Sequence, residues 1–203
     1  MYALVEDNEI IKIINNPKAM IINDVQYPAK IFQLWSKDEL NAIGIYEIVT
    51  DSTNKKDEAY YINTNEEYNF ADNQVTRSWG TATPKRLEDE NAVDENGDPV
   101  LDDDGLQLIN YGLKTEKKRI VKQQASGLLE KTDWHNHKAL DDDTYTIPEN
   151  IKTYRANVRA KSNEMESQIN ACTNVDELKA LYEYTEQEDG TITRPLAEFP
   201  EEI

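Results

Sequence analysis

Three places in the chain gather residue types that carry chemistry in other proteins. Asp133-Trp134-His135-Asn136-His137 sets a carboxylate and two imidazoles at alternate positions. In an extended loop such spacing aims both rings to one side, a geometry zinc or nickel accepts. No third or fourth ligand follows, which favours a solvated loop. Asp94, Asn96 and Asp98, with Asp102-Asp103-Asp104 after them, open like a calcium loop. That loop needs Gly sixth and Glu twelfth, and Pro99 and Gly105 stand there instead. Cys172 lies on an apolar helical stripe without a basic neighbour to stabilise a thiolate, so it reads as a small core residue. A Gly-rich phosphate loop, a nucleophile elbow and a helical His-Glu-x-x-His motif are all missing. The expectation is a protein that is not an enzyme and uses no metal and no cofactor.

Composition points to a binding role. Of 203 residues, 22 are Lys or Arg and 40 Asp or Glu, a net charge of -18. That much negative charge repels phosphate backbones, so nucleic acid and anionic membrane are not expected partners. Eleven Tyr, three Trp and three Phe are too many for a disordered chain, and Tyr and Trp suit contact surfaces. The first residues lack a basic stretch before an apolar run, no segment approaches a membrane span, and the single Cys forms no internal disulfide. A soluble protein made inside a cell is expected.

The elements that would position these residues change character along the chain. Tyr2–Val5 and Ile10–Ile14 flank Glu6-Asp7-Asn8-Glu9, and Met20–Ile22 and Val25–Tyr27 flank Asn23-Asp24, two hairpin signals. Ser36-Lys37-Asp38-Glu39 is a capping box for a short helix that Gly44 stops. Ile45–Val49, Ala59–Asn63 and a hairpin through Phe70-Ala71-Asp72-Asn73-Gln74-Val75 resume the strand pattern. The fold class is therefore a two-domain α+β protein. Residues 1–86 form a β-rich, sandwich-like domain and residues 108–203 a small α-helical one. Between them, 87–107 carries nine acids and no Lys or Arg, half the net charge, and reads as an exposed linker removable without unfolding either domain.

In the helical part, Leu113, Ile120, Val121, Ala125, Leu128 and Leu129 recur at helical spacing. Pro148 opens a second helix whose stripe is Ile151, Tyr154, Val158, Met165, Ile169 and Cys172. Asn174 or Thr173 caps a third helix containing Val175, Leu178 and Leu181. Trp134 is expected in this helical core. Among the aromatics of the first domain, neighbours on a strand face opposite ways, so Tyr61 inside places Tyr60 outside. Tyr60, Tyr68 and Trp79 are the aromatics expected to meet a partner. Arg155 and Arg159, one turn apart, would clamp a partner carboxylate, or else form salt bridges on an exposed face.

Leu128-Leu129 with Thr132-Asp133-Trp134, then Ile147-Pro148 and Tyr154-Arg155-Ala156-Asn157-Val158-Arg159, resembles the C-terminal region of bacteriophage tail fibre assembly proteins. The resemblance covers about residues 113–172. A second, softer likeness joins Met1-Tyr2-Ala3-Leu4-Val5 and Ile31-Phe32-Gln33-Leu34-Trp35-Ser36 to N-terminal segments of phage proteins associated with tail fibres. The resemblance implies a chaperone of virion assembly. Its β-rich part would bind the distal part of a fibre chain, and its helical part would assist folding and trimerisation. It implies a tail fibre protein as partner, a homo-oligomer (trimer) on the trimeric fibre, and the cytoplasm of the infected bacterial host, with retention in the virion left open. By position Leu128, Leu129, Trp134, Ile147, Tyr154 and Val158 are signature and core, and Arg155 is a contact. A structural virion component, such as a fibre tip or adaptor, is the alternative; a metal-dependent enzyme using His135 and His137 is a third reading.

Overall fold

The computed structural model describes residues 1–203, with six helices and thirteen strands. The chain divides into two compact units, Met1–Pro84 and Lys85–Ile203.

In the first unit the chain reverses at three two-residue turns. Asp7-Asn8 joins β1 (Tyr2–Glu6) to β2 (Glu9–Ile14), and Asn23-Asp24 joins β3 (Met20–Ile22) to β4 (Val25–Tyr27). Two short helices follow, α1 (Ile31–Leu34) and α2 (Lys37–Asn41). Then come β5 (Ile45–Thr50), β6 (Tyr61–Ile62), and a hairpin of β7 (Glu66–Ala71) and β8 (Gln74–Trp79) turning at Asp72-Asn73. All six turn residues have φ between 48° and 65°. Positive φ at both central positions is the mark of the type I′ hairpin turn, and Asn and Asp tolerate it because their short polar side chains can bond the local backbone. Each hairpin expected from sequence at these turns is present. The Ser36 capping box is also formed: Ser36 Oγ accepts from Glu39 N–H, and the Glu39 carboxylate accepts from Ser36 N–H at 2.7 Å.

The strands make one five-stranded sheet in the order β2-β1-β5-β8-β7, with β5 and β8 parallel and the other neighbours antiparallel. This corrects the sandwich expectation, since no second sheet packs face to face on it. The sheet curls instead until its edge strands β2 and β7 come into contact. A register shift between Leu4 and Val5 adds local twist. Strand alternation sends Ala3, Val5, Ile48 and Val75 into the curl, with Tyr46, Tyr68 and Phe70 packed against them. It sends Leu4 and Ile45 to the opposite face, where Ile14, Ile22, Ile31, Phe32 and Leu40 cover them. Gly44 allows the turn into β5: its φ is +82°, and a Cβ would lie 2.6 Å from the Val5 carbonyl oxygen. A two-residue strand β9 (Thr83–Pro84) pairs with β6.

The acidic segment is ordered, which corrects the linker expectation. Within the second unit, three short antiparallel ladders meet. They are β10 (Glu90–Asn91) with β11 (Ile109–Asn110), Val93 with Pro99, and Leu101 with Gln107. Where they meet, Ala92 N–H donates to the Leu108 carbonyl (2.8 Å), Leu108 N–H to Val100 (2.9 Å) and Val100 N–H to Ala92 (3.0 Å). That closes a ring. The Gln107 side-chain amide donates to the same three carbonyl oxygens, at 2.8, 3.1 and 2.9 Å. An amide has two hydrogens for these three acceptors, so one is shared. The two outer tips are Asx turns: Asp94 Oδ1 accepts from the N–H of Asn96 and Asp98, and Asp102 Oδ1 from those of Asp104 and Leu106.

The start of the same segment caps the first long helix, α3 (Leu113–Glu130). Asp89 accepts from Gly112 N–H (2.8 Å) and the Thr115 hydroxyl (2.9 Å), while Leu113 and Lys114 N–H donate to the carbonyls of Arg86 and Leu87. A Cβ at Gly112 would lie 2.4 Å from the Glu88 carbonyl, so this contact closes only around glycine. Helix α4 (Asp133–Asp141) follows, then α5 (Glu149–Ala171), with Pro148 at its N-cap, and α6 (Val175–Ala180), capped by Asn174. The α5 stripe is buried from Tyr154 to Ile169, whereas Ile120 of α3 is exposed. A terminal hairpin, β12 (Thr185–Glu186) with β13 (Ile192–Thr193), leads to Leu196, buried and held by Leu181; Gln168 of α5 bonds Pro195 and Ala197.

Gln107→Leu keeps the side-chain bulk and removes the donors. The substitution is expected to cost the second unit about 1–3 kcal/mol, the scale of two or three hydrogen bonds. It should also speed hydrogen exchange at the Ala92, Val100 and Leu108 amides. Unchanged exchange there would show that the ring closes without its central amide.

Candidate functional site

The elements singled out in the helical half converge on one side chain. Arg155, on the buried face of α5 and 7% exposed, donates from Nη1 to the Leu129 carbonyl (2.8 Å) and Thr132 Oγ1 (2.6 Å). Its Nη2 donates to Asp133 Oδ1 at 2.7 Å. Thr132 Oγ1 in turn donates to the Leu129 carbonyl (3.0 Å). One guanidinium thus binds the end of α3, the turn and the start of α4. The planar fork of donors suits Arg and not Lys. Around it, Tyr154 and Val158 are buried with Ala125, and Leu128, Leu129 and Phe199 pack half-buried against them. Arg155 is therefore no partner contact: it is buried, and three of its five N–H donors are used inside the chain. Ile147 is half-buried, and Arg159, the other arm of the expected clamp, is exposed and reaches only the Arg155 carbonyl, at 3.5 Å.

Trp134 reverses its expectation as well. It is 54% exposed and stacks on the His135 ring, with centroids 3.7 Å apart. His135 is buried, its Nδ1 hydrogen-bonded to the Tyr145 hydroxyl, and Lys138 Nζ lies 4.4 Å over the Tyr145 ring. The stretch is a helix and not a loop, so His135 and His137 point about 200° apart at 100° per residue. No group of three or more His, Cys, Asp or Glu is placed to hold a metal ion.

In the first unit the aromatic expectations are mostly overturned. Tyr60 and Tyr61 are both buried, 5% and 3% exposed. Strand alternation does not govern Tyr60, because it closes a turn on Asp57 and β6 begins only at Tyr61. Trp79 is buried beneath two cations, Arg77 at 4.7 Å and Lys55 at 5.2 Å. Tyr68 is half-buried in the curl and donates to the Glu66 carboxylate; burial first, then that carboxylate, raises its pKa. Of the five proposed contacts, Tyr68 and Arg159 keep accessible surface.

Titration within the second unit follows hydrogen bonding. The Gly112 N–H is the largest of the causes holding the Asp89 carboxyl below the ordinary range, with Thr115 and Lys118 adding to it. Backbone N–H groups of Asp98 and Asn96 do the same for Asp94. Burial pushes the Cys172 thiol up, away from the reactive thiolate. Sequence reasoning missed Gln107, which nothing local marks. The burial of Arg155 did have a signal: Ile151, Arg155, Val158, Ser162, Met165 and Ile169 advance by four, three, four, three and four.

Comparison with family models, curated proteins and solved structures finds no match for this chain.

Arg155→Met is expected to cost the second unit about 2–4 kcal/mol, because it strips three oxygens of a buried donor. Trp134→Ala should cost less than about 1 kcal/mol, as a mostly exposed side chain does. Urea unfolding that ranks the two the other way would place Trp134 in the core. A second expectation concerns acid. The folded pKa of Asp89 is depressed, so its stabilisation is present above about pH 4, the ordinary aspartate value, and is lost as pH falls through the folded pKa. Asp89→Asn should weaken amide protection at the start of α3 at pH 7. The difference from wild type should shrink below about pH 4 and close once the pH passes the depressed folded pKa; one that persisted there would show that the Asp89 charge is not what matters.

Proposed function

We propose that the chain is a phage tail fibre assembly chaperone, a non-catalytic protein that binds the distal part of a fibre chain and assists its folding and trimerisation. The observation that carries this reading is the helical clasp. Leu128-Leu129, Thr132-Asp133-Trp134 and Tyr154-Arg155, the segments that resemble tail fibre assembly proteins, belong to one interaction around Arg155 and not to three unrelated stretches. That geometry leaves Trp134 outward, a large aromatic of the kind that anchors protein interfaces. The charge supports the reading in another way. Unassembled fibre chains are rich in strands whose open edges aggregate, and a strongly acidic companion keeps a complex soluble. In this reading the protein acts in the cytoplasm of the infected bacterium as a trimer on the trimeric fibre.

The test is co-expression with a tail fibre gene of the same genome, followed by size-exclusion chromatography with light scattering. The expected result is a complex of defined stoichiometry, with the fibre insoluble when expressed alone. Trp134→Ala should weaken that complex at least tenfold while lowering the melting temperature of the free chain by no more than a few degrees. A fibre that trimerises in soluble form without this chain would sink the chaperone reading in favour of a structural virion component.

A further inference from the structure

We infer that the second unit joins a second copy of this chain head to tail, the acidic arms of its three-ladder junction seated on the basic outer face of α3 in the next copy. The contact stands on its own. That three copies close a ring rests on the chaperone reading, which needs a trimer on a trimeric fibre.

The first surface is built by a short repeat. Ala92-Val93, Val100-Leu101 and Leu108-Ile109 recur every eight residues, and Ala92, Val100 and Leu108 are the three members of the hydrogen-bonded ring. Paired residues of a ladder share a face, and successive residues alternate. The pairs Asn91–Ile109, Val93–Pro99 and Leu101–Gln107 therefore lie on one side of the junction, the side from which the Gln107 amide spans the ring. That sets Val93, Leu101 and Ile109 around Gln107, and they are 56%, 53% and 45% exposed. Three aliphatic side chains gathered on one face of a closed hydrogen-bond ring form an uncovered patch and not a scatter of single residues. Six acids, Asp94, Glu95, Asp98, Asp102, Asp103 and Asp104, stand on the two outer arms of the junction. None of the six has an ion-pair partner within the chain.

The second surface lies beyond the third arm, which runs from β11 through Tyr111 into α3. A groove of about 740 Å³ there is lined by Tyr111, Lys118, Arg119 and Lys122, with Glu116 as its one acid. Helix α3 carries five cations, Lys114, Lys117, Lys118, Arg119 and Lys122, against Glu116 and Glu130, on a chain whose net charge is -18. Arg119 pairs with Glu116 and Lys122 with Glu166, but the two cations are 62% and 66% exposed. Such surface pairs are weak and yield to a better-matched partner.

Charge selects the occupant. The arms call for a surface that is basic and partly apolar, and the groove for one that is acidic and partly apolar. A second copy meets both needs with surfaces already built. Nucleic acid or an anionic membrane would meet the groove alone and be repelled by the rest of the chain. At physiological salt the repulsion between two such acidic chains is screened beyond about 8 Å, so contacts at closer range decide the association. Because the two surfaces differ and belong to different arms, the contact is heterologous. Each added copy leaves one surface of each kind unused until a ring closes.

The test is sedimentation velocity of the full chain at about 0.15 M salt, from about 1 to about 100 μM. Wild type is expected to pass from monomer to trimer. Glu95→Lys/Asp103→Lys and Arg119→Glu/Lys122→Glu, all at exposed positions, should each weaken association at least tenfold. The arm variant has a net charge of -14, two reversals of two units each from -18. General repulsion between copies would make it associate more tightly; the specific contact makes it associate less. Combining all four reversals restores complementarity and should restore the trimer. A wild type that stays monomeric or stops at a dimer would overturn the inference. So would an arm variant that associates as well as wild type, or a fourfold variant that melts normally yet stays apart. Where a variant does not melt as wild type does, hydrogen exchange of the wild-type chain at the two ends of the concentration range reads the same contact. Slowing is expected at residues 93–104 and 111–123, and slowing only elsewhere would sink the proposal. No fibre is needed for these measurements. A monomeric chain that still brings a fibre into solution would count against the ring alone, and a trimeric chain that the fibre ignores would count against the chaperone reading alone.

Discussion

The second unit depends on one buried cation. Arg155 reaches three oxygens that belong to the end of α3, the turn after it and the start of α4, and so sets how two helices enter and leave the same corner. Burying a guanidinium is unfavourable unless its donors are used, and a neutral carbonyl, a hydroxyl and a carboxylate take three of its five here. The carboxylate is 46% exposed, so the pair keeps one foot in water and avoids the full desolvation of a closed ion pair. The outward position of Trp134 follows from the same contact. Asp133 must face Arg155, and the next residue of a helix lies about 100° further round. Its ring then lies over His135, which is itself fixed by Tyr145.

The acidic segment shows how a run of like charge becomes ordered. Its carboxylates stay at the surface, where water and salt screen their repulsion. Its backbone groups close on one another around Gln107, and three of its acids do structural work: Asp94 and Asp102 hold turns, and Asp89 accepts from the N–H of Gly112, which caps α3, and from the Thr115 hydroxyl. Negative charge at that helix end is also favoured by the helix dipole. The segment most polar in composition is thus a cap and a junction. Net charge opposed its compaction, and specific hydrogen bonds outweighed it.

Surfaces left for partners differ from those that composition suggested. Most aromatics of the first unit went into its core or under a cation, since a single curled sheet has two apolar faces to fill and few large residues to fill them. What remains open there is largely aliphatic, with Ile11, Ile21 and Val25 exposed. In the second unit Trp134 is the large aromatic left at the surface of the clasp.

The sequence alone determined whatever depends on residues within about four positions of each other. The three Asx-based hairpins, the Ser36 capping box, the Asn174 cap and the long stripe of α5 were all legible, because turns, caps and helical faces are decided by neighbours in the chain. The clasp was half legible: its residue types and spacing marked two helices held together, but not which side chain did the holding. Tertiary structure decided the rest. Whether the strands stack as two sheets or curl as one depends on pairing between β5 and β8, more than twenty residues apart. Arg155 finds its partners 22 to 26 residues away, and Gln107 finds one of its three carbonyls 15 residues away. No local pattern reports such meetings, because the free energy that favours them exists only once the distant groups are already side by side and out of water.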